Sequence, residues 1–348
     1  MSTLKVNTIN AATSGQGVAV DVQNPRSFRN LIINGQFQIW QRKTDSGSTS
    51  TSAYTADRWQ MNASGSTYQC TRQAFTEGQT DVASFPKYYQ RISVTTGAND
   101  AGPRQRIEDV RSVQGQHTLS FWARGVNPAG GHLDAHIKQD YGDSGSTEEV
   151  TILGAVTLNA TSTTWTKYSF TFTPNSLSGK TIGDDSYFQI ALKQPTDDTG
   201  TAAWSLDLAN VQVEKGSIAS DFEHRSHAEE LARCQRYCLV IKVDQADYTG
   251  FNCIMQSDSN AICTRQVPVA MRTLPSYTGS NTDATVQSGN STNIVHFNNF
   301  IVIRMPTTEN PTTISLRDDN IGGGTSGQAG LLQAKENNGS LIFEAELL

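Results

Sequence analysis

Between residues 26 and 225 apolar and polar positions alternate with a period of two, in short runs bounded by Gly, Pro, Ser and Asp. That is the pattern of half-buried strands. Leu119, Phe121 and Ala123 alternate with Thr118, Ser120 and Trp122. Tyr168, Phe170 and Phe172 alternate with Lys167, Ser169 and Thr171, and Pro174 ends that run. The theme returns in Phe188, Ile190 and Leu192, and in Trp204, Leu206 and Leu208. Near the start, Leu31 and Ile33 alternate ahead of Asn34-Gly35, which predicts the first strand pair and its tight turn. Strands of this size with polar connections predict an antiparallel jelly-roll β-sandwich.

The grammar changes at Ser226. Ser226 and Glu229 have capping-box spacing and predict a helix of about three turns, with Leu231, Cys234 and Cys238 on one stripe. Strand patterns then resume at 253–255, 261–269, 294–305 and 341–347, separated by low-complexity loops at 276–293 and 322–330. The predicted organisation is therefore an N-terminal arm over 1–25, a jelly-roll domain over 26–225, and a helix plus a smaller β-rich distal domain over 226–348. In the arm, Leu4, Val6 and Ile9 are isolated apolar residues among small polar ones, too sparse to bury a core.

Composition supports an all-β reading. Of 348 residues, 36% are hydrophobic and 17% charged, which suits exposed strands and polar loops better than a helical enzyme. The net charge is −6 and no basic stripe follows a phosphate backbone, so no nucleic-acid partner is expected. No run of 18 apolar residues occurs, so no membrane span is expected, and the N-terminus lacks the apolar core of a secretory signal. The chain is expected to be made in a cytoplasm and to leave it only on a particle.

Candidate chemistry is sparse. Cys70, Cys234, Cys238, Cys253 and Cys263 are odd in number and irregular in spacing, and buried free thiols are expected rather than disulfides or a zinc site. His132, Asp134, His136 and Lys138 share one face of a strand and read as a solvated face rather than a metal site. The glycine-rich run 322–327 lacks the lysine of a phosphate cradle, and the acidic loop 140–149 lacks calcium-loop spacing. Trp40, Trp59, Trp122, Trp165 and Trp204 raise the question of sugar stacking, with core packing the expected role of any single one. Phe121 and Trp122, being adjacent, must face opposite sides of their strand. No Ser/His/Asp or Cys/His arrangement is evident, so the chain is read as a non-enzyme without cofactor or metal.

Several segments form an ordered series: the opening at 30–59, Gln105 to Glu108 with Leu119 to Arg124, Gln139 to Gly142, and Thr164-Trp165 with Tyr168 to Pro174. The series continues with Ala209 to Gly216 and Phe222 to Arg225, Glu229 to Tyr237, and Pro268 to Arg272 with Pro275. Taken in order, these segments resemble the carbohydrate-binding-module-like jelly-roll proteins of phage tail fibres and virion appendages. Leu4 to Ile9 is similar to the virion-docking peptide that heads many such fibres, which makes Leu4, Val6 and Ile9 the docking residues. From about residue 276 onward the resemblance ends.

The resemblance implies a structural protein exposed on a bacteriophage particle. It would be docked to other virion proteins of tail or capsid by its arm, assembled with copies of itself as a homotrimer, and directed distally at a host surface glycan. The alternatives are a capsid-decorating head fibre or knob without a receptor role, and a polysaccharide depolymerase. The resemblance further implies a calcium site between the opening segment and a late Asp, but Gln38 stands in the acidic position and leaves only Asp207. Within the polar loop 276–293, Tyr277 is the candidate stacking contact for a receptor.

Overall fold

The computed structural model describes residues 29–98, 100–158, 164–195, 197, 200–243, 248–257, 260–279, 284–287, 295–297, 301–303, 311–318, 326–327, 329–334 and 339–347. Leu4, Val6 and Ile9 lie outside the described residues.

The alternating runs become two facing sheets. One has six strands: β1 (Ala53–Tyr54), β2 (Gln60–Asn62), β5 (Gly102–Glu108), β10 (Tyr187–Lys193), β7 (Leu133–Asp140) and β8 (Glu149–Val156), in that spatial order. The other has five: β3 (Thr67–Ala74), β4 (Tyr88–Thr96), β11 (Trp204–Lys215), β6 (His117–Val126) and β9 (Thr166–Phe172). Neighbouring strands pair antiparallel throughout, and the architecture is the expected jelly-roll sandwich. Leu119, Phe121, Phe188, Ile190, Leu206 and Leu208 meet between the sheets in one buried cluster, as the period-two pattern requires.

The opening segment is the first departure. Residues 30–42 form no strand pair. Asn34 and Phe37 have φ of 58° and 55°, so the chain coils here. Gly35 passes so close to β11 that a Cβ would lie 2.2 Å from the Val211 oxygen, a position open only to glycine. Asn34 then accepts from the Ile39 amide and donates to the Ile39 and Asp57 carbonyls, taking over the role of a strand partner.

The helix is shorter than its pattern. Helix α1 covers His227–Gln235, with the Ser226 hydroxyl accepting from the Glu229 amide at 3.2 Å. Glu229 turns to Arg233 one turn on, at 3.3 Å. Cys238 therefore opens a strand rather than closing the helical stripe.

A second buried cluster forms beyond the helix, around Phe251, Met271, Leu316, Leu332 and Phe343. It lies between a three-stranded sheet and a seven-stranded one. The first comprises β12 (Cys238–Val243), β21 (Gly339–Glu344) and β15 (Ser276–Gly279). The second runs β17 (Val295–Phe297), β16 (Ala284–Gln287), β20 (Ala329–Ala334), β13 (Tyr248–Met255), β14 (Ala261–Gln266), β19 (Thr313–Asp318) and β18 (Ile301–Ile303). The single strand expected over 294–305 is thus two, at opposite edges of one sheet, and part of the expected 276–293 loop is strand. β13 and β14 set Cys253 directly opposite Cys263, and the two form a disulfide. Free thiols are accordingly confined to Cys70, Cys234 and Cys238, all buried.

The two bodies are joined by charge. Residues 345–347 leave β21 and pack on the sandwich, where Glu346 pairs with Arg58 and Arg42 and the Tyr54 hydroxyl donates to the Leu347 carbonyl at 2.9 Å. Arg236 and Tyr237 both reach Glu108 on β5, each at 2.9 Å.

Candidate functional site

The inward residues of the five-stranded sheet fill the core, so their neighbours face away from it. On β4 these are Tyr89 and Arg91, on β6 Trp122 and Arg124, and on β11 Asp207 and Ala209. Strand pairing puts them side by side: Arg91 and Arg124 both stand opposite Asp207, and Trp122 stands opposite Ala209 on one side and Lys167 on the other.

The result is an aromatic platform outside the main core. Val82, Tyr89, Trp165 and Ala209 form its buried base, with Phe75 and Trp122 packed against it and partly open to solvent. Trp165 lies 5.2 Å from the Phe75 ring and meets Tyr89 edge-on at 5.3 Å. Such tilted contacts hold aromatic rings in fixed orientations. The connection between β3 and β4 folds back to bring Val82 onto the platform. It is fastened by the Asn210 side chain, which donates to the Ala83 carbonyl at 2.8 Å. Asn210 reaches it because β11 bulges between Ala209 and Gln212.

Charge is ordered across the same face. Arg91 grips Asp207 with Nε and Nη2, both at 2.7 Å, while Arg124 Nε reaches the same carboxylate at 2.9 Å. Both guanidiniums also donate to the Tyr89 hydroxyl, and that of Arg124 lies 4.8 Å from the Trp165 ring centroid. Hydrogen bonding to Asp207 holds Arg91 protonated well beyond its ordinary range. Chemically, this face offers flat apolar surface beside fixed donors. Burial pushes the thiols of Cys70, Cys234 and Cys238 upward, which keeps them protonated and inert.

Of the tryptophans, Trp40, Trp59 and Trp204 are core, and Trp122 and Trp165 build the platform. Tyr277 does not sit on a loop tip. It lies on β15, half-buried, with its ring 5.5 Å from Phe343 in the distal core. Where the resemblance implied calcium, Gln38 donates to Gln36 at 2.7 Å and Gln36 donates to Asn210 at 3.1 Å, an arrangement of neutral amides. Asp207 is held instead by the two arginines. Among the described residues no group of His, Cys, Asp and Glu is arranged to hold a metal. Nor is any helix there long and apolar enough to cross a membrane.

The strand face carrying His132, Asp134, His136 and Lys138 is less solvated than expected. His136 is only 3% exposed, and among the described residues neither ring nitrogen has a hydrogen-bond partner. Burial lowers its pKa to about 4, helped by Lys193, Lys138 and Arg104 and opposed by Asp100. An imidazole in the unfolded chain takes its proton near pH 6.5, so the unfolded state binds more protons between these values. Stability is therefore expected to be full above about pH 6.5 and to fall as pH drops towards 4, by up to about 3 kcal/mol. Urea midpoints measured at pH 7 and 4.5 on the wild type and His136→Leu check this. An unchanged pH dependence in the variant would assign the effect to other groups.

Residues 30–198 match the family model of a carbohydrate binding domain. The match takes in β1 to β10, which includes every platform residue named above except Asp207, Ala209 and Asn210 on β11. It covers just under half of the chain. No curated protein matches the sequence. Among solved structures, the chain is similar to the enzymatically active domain of bacteriophage CBA120 tailspike protein 4, at 14% identity and a TM-score of 0.31, over 53% of this chain and 21% of that one. It is similar to the CBM22-1 xylan-binding domain of Paenibacillus barcinonensis Xyn10C, at 15% identity and a TM-score of 0.29, over 49% and 94% of the two chains. A third similarity is to the N-terminal cellulose-binding domain of Cellulomonas fimi β-1,4-glucanase C, at 16% identity and a TM-score of 0.26, over 43% and 90%.

Proposed function

We propose that the protein is a non-catalytic glycan-binding component of a bacteriophage particle, and that the platform on the five-stranded sheet is where sugar binds. The observation that carries the glycan reading is the carbohydrate-binding-domain match over the residues that build most of this platform. Pyranose rings present flat CH surfaces, and the half-open faces of Trp122 and Phe75 suit them. Retention of the purified protein on a panel of polysaccharide gels tests it. Trp122→Ala is expected to weaken binding about tenfold, the effect of roughly 1.4 kcal/mol of lost stacking. Retention unchanged by the substitution would move the site elsewhere.

The virion role is supported by the ordered series of motifs shared with phage fibres and appendages. In this reading Leu4, Val6 and Ile9 dock the chain on tail or capsid proteins, three copies associate, and the distal body faces the host or a neighbouring protein on the particle surface. Three lone apolar side chains in a polar arm fit a partner's groove better than a core of their own. Deleting residues 2–24 is expected to leave a folded protein that no longer joins the particle. Full incorporation of the truncated chain would remove the docking role. Sedimentation of the full chain at micromolar concentration tests the trimer, and a single monomeric boundary would count against it.

A further inference from the structure

We infer that the platform selects an acidic glycan, a sugar polymer carrying carboxylate or sulfate groups, over a neutral one. The inference rests on the glycan-binding reading of this same face. Around the aromatic rings stand Arg91, Arg124 and Lys167, with the carboxylate of Asp207 between the two arginines. The side chain of Asp207 is 6% exposed, whereas those of Arg91 and Arg124 are 40% and 21% exposed. A ligand approaching from solvent therefore meets guanidinium groups, with the carboxylate beneath them.

Asp207 has a second effect. Its two oxygens accept three guanidinium hydrogen bonds, and the Tyr89 hydroxyl accepts two more, so both arginines are fixed before any ligand arrives. A fixed guanidinium loses little side-chain entropy on binding, and its planar donors match an oxyanion. Among the described residues, Nη1 of Arg91 has no protein partner and remains for such a contact. Exposed Lys167, directly opposite Trp122, adds a charge beside the stacking surface. These three cations flank the stacking surface in a chain whose net charge is −6.

The test compares polymers that differ only in charge. Polygalacturonate and its methyl ester form one pair, and dextran sulfate and dextran form the other, each measured with the full chain by affinity electrophoresis. The acidic member of at least one pair is expected to bind about tenfold more tightly at low salt, a gap that closes in about 0.5 M NaCl. Which pair shows the gap tells carboxylate from sulfate. Arg91→Gln and Lys167→Ala should each narrow it, and Lys167→Ala, a change at an exposed side chain, leaves the fold intact. Equal binding of acidic and neutral members, lost in Trp122→Ala, would overturn the acidic preference and leave the glycan reading standing. Binding of none of the four polymers would overturn both.

Discussion

Arg58→Ala is expected to destabilise the protein by about 3–5 kcal/mol, the scale for removing one partner of a buried ion pair. The Arg58 side chain is 1% exposed, its Nη1 pairs with Glu346, and its Nη2 donates to the Arg106 carbonyl at 2.6 Å. Its guanidinium also lies 3.5 Å from the Tyr237 ring centroid. Removing it leaves the Glu346 carboxylate, itself buried, with Arg42 at 3.2 Å as its remaining ion-pair partner. For a chain of this size the loss corresponds to a fall in melting temperature of about 10 °C, at roughly 2–4 °C per kcal/mol. Calorimetry of the wild type and the variant checks it, and a fall of under about 2 °C would show that the pair carries little. The double variant Arg58→Met with Glu346→Leu is expected to recover most of the loss. The cost lies in an orphaned buried charge more than in the missing attraction.

That ion pair joins residues 288 positions apart, and it shows where reading the sequence stops. Period-two alternation sufficed to place Leu119, Phe121, Phe188 and Leu206 in one core, because a half-buried strand must alternate whatever its neighbours are. It also put Phe121 and Trp122 on opposite faces, which the structure bears out. Sidedness alone could not assemble the platform. Arg91, Arg124 and Asp207 come from three strands that are not consecutive in sequence, and only the order β4-β11-β6 brings them together.

Other signals in the sequence point away from the structure they form. Cys253 and Cys263 fall on two successive strands, β13 and β14, whose antiparallel register sets them face to face, whereas overall count and spacing point to free thiols. Tyr277 sits in a polar stretch that reads as a loop, yet β15 pairs with β21 and turns the ring against Phe343. Polarity marked that segment as exposed, while pairing with a buried neighbour decided its place.

The Asn34-Gly35 pair does turn the chain, the Phe37 amide donating to the Asn34 carbonyl at 3.0 Å, but it joins no strand pair, and it carries the second large effect. Asn34 is 1% exposed with φ of 58°, and its side chain serves the Ile39 amide, the Ile39 carbonyl and the Asp57 carbonyl at 2.8 to 3.0 Å. Its own carbonyl accepts from the Trp59 indole at 3.1 Å, tying the opening coil to a core tryptophan. A turn residue would lose little on truncation, whereas this one would leave the buried Ile39 amide and Asp57 carbonyl without partners, the Ile39 carbonyl keeping the Asp57 amide, at about 1–3 kcal/mol each before relaxation. Asn34→Gly keeps the positive φ at no steric cost and is expected to destabilise by about 3 kcal/mol through the lost hydrogen bonds. Asn34→Ala adds left-handed strain and is expected to cost about 1 kcal/mol more. Urea unfolding of the two variants separates the contributions. If Asn34→Gly proved as stable as wild type while Asn34→Ala did not, the residue would act only as a turn former, and the hydrogen-bonding hub would not be what holds residues 34–59 in place.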